Sequence, residues 1–211
     1  MMDKLAQLTE IKRIASVMEE KSMGSGPGFF VVTSPFVGEG KSLMATGLAM
    51  HRAVNLSGKV LLADFNWRTP RLHELFNRKQ NFSFQDLKSS DDPLEYVQRT
   101  NYTGLELLTA PKSKDCDQFS DSLDICRSIL TNAQKTYDRV IVDTCSMFPA
   151  NRFMLDPVRL ARDAAGTMLV FMAGVTPRDM AKKAVSIFKE YELSLTGILM
   201  NDFRNPMHGR A

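Results

Sequence analysis

Short apolar runs recur along the chain and alternate with stretches in which apolar residues fall three or four positions apart. Each run has five to seven residues and is rich in Val, Ile, Leu and Phe. Such continuous hydrophobicity is typical of strands that are buried on both faces of a parallel sheet. The runs predict strands at 29–33, 59–65, 105–109, 139–143, 167–173 and 195–201.

Helical periodicity fills the intervals between these runs. It predicts helices at 3–23, 41–56, 91–100, 118–136 and 177–192. Repeated β–α units of this kind predict an α/β fold, with a doubly wound, mainly parallel sheet in three layers (α/β/α) and right-handed crossovers. Ligands of such folds bind at the carboxyl ends of the strands.

The chain is predicted to form one main domain with two short flanking segments. Its 211 residues are a common length for one α/β domain. The glycine-rich run at 24–28 predicts a hinge after the first helix. We therefore predict an N-terminal helix and hinge at 1–28, the main domain at 29–203 and a tail at 204–211.

Composition narrows the function classes. The net charge is +3 and the basic residues are scattered, which disfavours nucleic acid as a partner. The three cysteines form no CxxC pair, which favours a reducing compartment over a disulfide framework or a zinc site. No run approaches the ~18 apolar residues of a membrane span. These features predict a cytoplasmic protein whose link to a membrane comes through a partner.

The segment 29–42 carries the most specific chemical signal. An apolar strand leads into a turn with Gly38 and Gly40, and Lys41-Ser42 opens the next helix. Glycines let backbone N–H groups approach phosphate oxygens, and the helix N-terminus adds a positive dipole end. Lys41 would reach the terminal phosphates of ATP or ADP, and the Ser42 hydroxyl would bind Mg²⁺. The segment predicts a P-loop whose nucleotide-binding residues are Val37, Gly38, Glu39, Gly40, Lys41, Ser42 and Leu43.

Two aspartates end neighbouring apolar runs. Asp64 follows the run at 59–63, and Asp143 follows the run at 139–142. A carboxylate at either strand end would lie near Ser42 and could hold Mg²⁺ directly or through water. We predict Ser42, Asp64 and Asp143 as metal-binding residues, and Lys41, Asp64 and Asp143 as catalytic residues. The alternative for Asp64 is a capping role before Pro70.

These motifs resemble those of the bacterial tyrosine kinases of capsule and exopolysaccharide systems, within the MinD/ParA-like branch of P-loop proteins. The most specific match is Thr33-Ser34-Pro35-x-x-Gly38-Glu39-Gly40-Lys41-Ser42, in which Pro35 stands in place of the usual first glycine, which that family also lacks. The MinD/ParA group carries a second lysine where this chain has Phe36, which disfavours a partitioning or division-site role.

The resemblance extends over nearly the whole chain. Asp64, Arg68 and Arg71 match the second Walker motif, Asp143-Thr144 matches the Walker B strand, and 174–178 matches the start of a late helix. Asn201 matches a residue that contacts adenine in relatives. The resemblance implies ATP or ADP and Mg²⁺ as cofactors, and possible homo-oligomers. It also implies a membrane-spanning partner of the polysaccharide co-polymerase, or chain-length regulator, type.

Three departures from the family pattern bear on activity. Asn66 replaces the second acid of the second Walker motif, and an amide cannot act as a base. An aspartate restored at this position is expected to raise ATP turnover, unless Asn66 only caps the turn. Ser16 replaces the last arginine of the helical oligomerisation motif that begins with Glu10 and Arg13. Residues 202–211 contain no tyrosine, so self-phosphorylation is expected to be weak or absent.

The sequence leaves several functions open. The favoured one is a Mg-ATP-binding protein of polysaccharide synthesis or export, peripheral to the inner membrane, with slow ATPase or tyrosine kinase activity. A second is a non-catalytic scaffold whose assembly depends on bound nucleotide. A third is another P-loop enzyme, either a small-molecule kinase or a MinD/ParA-like positioning ATPase.

Overall fold

A seven-stranded sheet forms the centre of the residues described by the computed structural model, which are 9–22, 28–56, 58–112, 122–148 and 155–202. Its order is β3-β4-β2-β5-β1-β6-β7, and all neighbours are parallel except β3 and β4. The strands are β1 (Gly28–Thr33), β2 (Val60–Asp64), β3 (Gln98–Arg99), β4 (Leu105–Leu108), β5 (Arg139–Asp143), β6 (Gly166–Met172) and β7 (Leu195–Asn201).

Helices cover both faces of this sheet. They are α1 (Thr9–Ser22), α2 (Lys41–Asn55), α3 (Leu72–Leu75), α4 (Phe84–Ser89), α5 (Ser122–Thr136), α6 (Pro157–Ala161) and α7 (Arg178–Glu190), with a 3₁₀ turn at Pro93–Tyr96. Alternate residues of β1 face opposite layers: Phe30 packs in the cluster formed with α1 and α2, whereas Val31 packs in the cluster formed with α5. The predicted three-layer α/β fold is confirmed.

The strand order reverses at β1, which lies between β5 and β6. In doubly wound sheets this switch point opens a crevice at the carboxyl ends of the strands. The end of β1 leads directly to the turn at 34–40, and the end of β5 is its immediate neighbour, with Val32 paired to Asp143. The topology therefore brings the P-loop and Asp143 to one edge of the sheet.

Helix α1 packs onto the same layer as α2. Ile11, Ala15 and Met18 are buried in the cluster that contains Phe30. Glu19 lies 2.8 Å from Arg52 and 3.1 Å from Arg139, which ties the helix to α2 and β5. The division at residue 28 stays a prediction, and the hinge residues 24–27 and the tail at 204–211 lie outside the described residues.

The six predicted strands are confirmed, but the predicted helix at 91–100 is wrong. Asp92 caps a single 3₁₀ turn at Pro93–Tyr96, and the chain then pairs with the edge of β4 as strand β3. Pairing with the edge of β4 outweighs the helical spacing of apolar residues in this segment. The sequence prediction also missed the short helices α3, α4 and α6. None of the described helices is both long and apolar enough to cross a membrane.

Candidate functional site

The turn between β1 and α2 depends on two glycines with left-handed backbones. Gly38 has φ 86° and Gly40 has φ 95°, conformations that residues with a Cβ rarely adopt. A Cβ at Gly40 would also collide with the side chain of Asn201. Gly40 precedes the first residue of α2, and its carbonyl accepts the Met44 N–H at 3.0 Å. The predicted P-loop therefore has the strand–turn–helix geometry that phosphate binding requires.

The early part of the turn is fixed by hydrogen bonds to the segment that follows β5. Ser34 accepts the Met147 N–H at 2.8 Å, and Pro35 accepts the Phe148 N–H at 2.9 Å, both through carbonyl oxygens. The Ser34 hydroxyl also donates to the Phe36 carbonyl at 2.7 Å. Pro35 lacks an N–H, but its carbonyl still anchors the turn. The loop is thus positioned without the usual first glycine.

The late part of the turn is held by a residue of the turn that follows β6 and by the last residue of β7. Glu39 is only 2% exposed, and its carboxylate accepts the Phe36 N–H at 2.7 Å and the Thr176 hydroxyl. The Asn201 side chain donates to the Glu39 carbonyl at 3.0 Å. The structure therefore places two predicted nucleotide-binding side chains in contacts with protein, Glu39 with the turn after β6 and Asn201 with the P-loop backbone.

Lys41, Ser42 and Asp143 come together beside the turn. Lys41 is 6% exposed, and burial lowers the pKa of its ammonium, while the negative charge of Asp143 acts in the opposite direction. Burial raises the pKa of the Asp143 carboxyl to about 6, and the nearby Ser42 hydroxyl and Lys41 ammonium moderate that rise. Neither carboxylate oxygen of Asp143 accepts a well-aligned hydrogen bond from the described residues, although the Ser42 hydroxyl lies close by.

Asp64 is engaged differently, although it lies beside Asp143 on the neighbouring strand. One carboxylate oxygen accepts the Asn66 N–H at 3.1 Å, and the other accepts the N–H groups of Arg71 and Leu72 at 3.2 and 3.1 Å. Burial and the charge of Asp143 raise the pKa of Asp64, and these three bonds act against that rise. Asp64 fixes the loop between β2 and α3.

Asn66 closes the same loop through its side chain. Its amide nitrogen donates to the Thr69 carbonyl at 2.9 Å, and its amide oxygen accepts the Thr69 hydroxyl at 3.1 Å. An aspartate could accept the second of these bonds but could not donate the first. The geometry therefore favours the capping role for Asn66 over that of a degraded catalytic base.

A cavity of about 410 Å³ lies between the P-loop and this second loop. Val37 is 66% exposed at its rim, and the side chains of Arg71 and Glu74 pair across the other side at 2.7 Å. Thr69, Glu74 and Leu75 belong to none of the predicted motifs, and the one sequence signal for them is their position within eleven residues after Asp64. The cavity is lined by Val37, Gly38, Gly40, Lys41, Ser42, Leu43, Asn66, Thr69, Arg71, Glu74 and Leu75.

The residues present fit a magnesium ion bound together with phosphate. Among the described residues, no group of three or more His, Cys, Asp or Glu side chains could form a metal site made of protein alone. Mg²⁺ in nucleotide sites is usually held by one or two protein ligands, substrate phosphates and water. The buried, unpartnered oxygens of Asp143 and the adjacent Ser42 hydroxyl match that donor set.

Comparison with known proteins supports the resemblance found in the motifs. No protein-family model matches the chain. Tyrosine-protein kinase YwqD of Bacillus subtilis (strain 168) is 29% identical over 179 residues, which are 84% of this chain and 73% of that protein. The predicted resemblance to bacterial tyrosine kinases is confirmed. The kinase domain of Escherichia coli tyrosine kinase ETK has the same fold, with a TM-score of 0.72 and 21% identity over 82% of this chain and 67% of that one.

The wider P-loop branch shares the fold at lower identity. The septum site-determining protein MinD from Pyrococcus horikoshii OT3, solved with Mg-ADP, superposes with a TM-score of 0.66. It is 15% identical, over 85% of this chain and 72% of that chain. The chain therefore shares its fold with both of these proteins.

Proposed function

We propose that the chain binds ATP or ADP together with Mg²⁺ at the turn 34–40. The observation that carries this proposal is the convergence of Lys41, Ser42 and the unpartnered carboxylate of Asp143 beside a glycine turn that opens a 15-residue helix. A cation, a hydroxyl and a free carboxylate in this arrangement suit a phosphate chain with its metal ion. The similarity to YwqD, a tyrosine-protein kinase, supports the same assignment.

Each residue has a separate task in this proposal. The backbone of 37–43, opened by Gly38 and Gly40, surrounds the phosphates, and Lys41 neutralises the terminal ones. Ser42 and Asp143 hold Mg²⁺, which supplies positive charge that stabilises phosphoryl transfer. Asp64 orients the loop that forms the far wall of the cavity, so we assign it a supporting role in metal binding.

We further propose that the protein acts in capsule or exopolysaccharide synthesis or export. The family resemblance supports a cytoplasmic location, peripheral to the inner membrane, through a membrane-spanning chain-length regulator. The resemblance also supports self-association and slow ATPase or tyrosine kinase activity. A positioning ATPase is less well supported, because Phe36 stands where that group carries its second lysine.

A nucleotide-dependent scaffold without turnover is the second candidate. Asn66 favours the scaffold, because the nitrogen and the oxygen of its side-chain amide are both hydrogen-bonded to Thr69 and this position has no carboxylate to act as a base. Incubation with Mg-ATP, followed by phosphate release measurements and mass spectrometry of the four tyrosines, separates the two candidates. Turnover that Lys41→Ala abolishes would support the enzyme. Nucleotide binding without turnover would support the scaffold.

Thermal unfolding tests the central proposal. Mg-ADP at ~100 times its dissociation constant adds about 2.7 kcal/mol to stability. For a domain of this size we expect the melting temperature of the wild type to rise by roughly 5–11 °C. Lys41→Ala should fold but lose most of that rise, since its ammonium would contact the phosphates. If Mg-ADP leaves the melting temperature of the wild type unchanged, the proposal is ruled out.

A further inference from the structure

Glu39 is a buried carboxylate for which phosphate binding itself has no need. Its two oxygens accept the Phe36 N–H and the Thr176 hydroxyl. Thr176 in turn accepts the Met172 N–H at 2.8 Å, so its hydroxyl is oriented toward the P-loop. Burying a carboxylate is costly unless hydrogen bonds compensate it. The buried Glu39 carboxylate therefore links the P-loop by a hydrogen bond to the turn that follows β6.

The joined segments are far apart in sequence and differ in exposure. Glu39 and Thr176 are separated by 137 residues. Val175, next to Thr176, is 48% exposed, and Gly174 has φ 67° in the same turn. A surface turn is thus hydrogen-bonded directly to the P-loop.

We propose that Glu39 and Thr176 form a latch that holds the P-loop in its phosphate-binding shape. The inference rests on the proposed function and concerns positioning residues, since neither side chain needs to touch the nucleotide. Without the latch, the loop would populate other conformations before binding. The apparent dissociation constant rises in inverse proportion to the competent fraction. The turn 173–177 would thereby set the affinity of the site.

The test compares Thr176→Val with Thr176→Ser. Valine keeps the shape of threonine but removes the hydroxyl, whereas serine keeps the hydroxyl. The measurements are the dissociation constants for Mg-ADP and for magnesium tripolyphosphate by calorimetry, and the melting temperature without ligand. Loss of a buried hydrogen bond to a charged group should weaken binding of both ligands about tenfold in Thr176→Val. Thr176→Ser should stay within about twofold of the wild type.

Glu39→Gln provides a second variant if Thr176→Val folds poorly. Its amide can satisfy one of the two donors but not both as the carboxylate does, so intermediate weakening is expected. In a double-mutant cycle, Thr176→Val should cost less binding in the Glu39→Gln background than in the wild type. Additive losses would overturn the latch.

Other results discriminate against the latch in distinct ways. A lower melting temperature with unchanged dissociation constants would show that the contact between Glu39 and Thr176 stabilises the fold but does not affect binding, which would overturn the latch. Weaker ADP binding with unchanged tripolyphosphate binding would place the effect at the base and overturn the latch alone. A wild type that binds neither ligand would overturn the proposed function, and the latch with it.

Discussion

Asp64 and Asp143 are paired in register on neighbouring parallel strands, yet their carboxylates have opposite surroundings. Asp64 accepts three backbone N–H groups from the loop that follows β2. Asp143 accepts no well-aligned hydrogen bond from the described residues and faces Lys41 and Ser42. Two carboxylates that sequence analysis treated alike therefore have separate tasks. Asp64 shapes the loop, and Asp143 remains available to a metal ion.

This contrast predicts opposite effects of the two Asp→Asn substitutions. Asp64→Asn removes charge-assisted hydrogen bonds worth about 1.5–3 kcal/mol and should lower the melting temperature by roughly 3–12 °C. Asp143→Asn removes a buried carboxylate that makes no hydrogen bond with the described residues but faces the Lys41 ammonium, so the penalty of burial and the lost attraction oppose each other and that temperature should change little. Asp143→Asn should instead abolish the dependence of ADP binding on Mg²⁺, measured by calorimetry across a magnesium titration. Equal destabilisation by the two variants would contradict this division.

The affinity for Mg-ADP should depend on pH through Asp143. Burial raises the pKa of this carboxyl from its usual 3.8 to about 6. Between these values the folded protein holds a proton that the unfolded chain has released, so stability without ligand falls as pH rises. Mg²⁺ needs the ionised form, so stabilisation by Mg-ADP should grow up to about pH 6 and then level off.

Melting temperatures measured from about pH 4 to pH 8, with and without Mg-ADP, check this expectation. Asp143→Asn is the matched control, because the difference between the two proteins removes the contribution of the carboxyls that do not interact with Asp143 and leaves those of Asp143 and of its neighbour Asp64. The variant should show a smaller loss of stability without ligand and should lack the gain with Mg-ADP. Parallel curves for the two proteins would show that Asp143 does not titrate in this range.

Sequence patterning predicted the centre of the sheet because strands β1, β2, β5 and β6 are buried on both faces. The run at 139–143 has no polar residue between Arg139 and Asp143, so its bounds were predicted to the residue. The segment 91–100 carries no such constraint. Its conformation is set by the cap at the start of Pro93–Tyr96 and by pairing with β4. Neither feature produces a periodic pattern of apolar residues in the sequence.

The candidate site was predictable only where the chemistry is local in sequence. Gly38, Gly40 and Lys41 fall within four residues, and the turn itself requires the glycines. The bond between Glu39 and Thr176 spans 137 residues, so no local pattern signals it. The difference between Asp64 and Asp143 depends on where the next loop directs its N–H groups. Hydrogen-bond partners of this kind follow from tertiary packing.

Asn66→Asp should lower stability without raising ATP turnover. The new carboxylate would oppose the Thr69 carbonyl, which now accepts the Asn66 amide at 2.9 Å. Losing a buried donor costs about 1–3 kcal/mol, or roughly 2–12 °C of melting temperature. Asn66→Ala is the matched control, since it removes the same bonds without adding charge. A several-fold rise in turnover for Asn66→Asp alone would show that the position works as a catalytic base.

Helix α1 leads to a prediction about assembly. Glu10, Arg13 and Ser16 all lie on its exposed side, while Ile11, Ala15 and Met18 face the core. The Ser16 hydroxyl donates to the Lys12 carbonyl of the same helix at 3.1 Å. It is too short to bridge to a carboxylate on a second copy. We therefore expect monomers or small oligomers at micromolar concentration.

Ser16→Arg should shift the protein toward larger assemblies. Arginine presents a planar fork that binds a carboxylate through two parallel hydrogen bonds. Ser16→Lys is the matched control, because it adds the same charge without the fork and should assemble less. Light scattering over a range of protein and salt concentrations measures the effect, which should weaken as salt screens the exposed charges. Equal assembly of the Arg and Lys variants would attribute it to charge alone, and a stable ring formed by the wild type would show that Ser16 does not limit association.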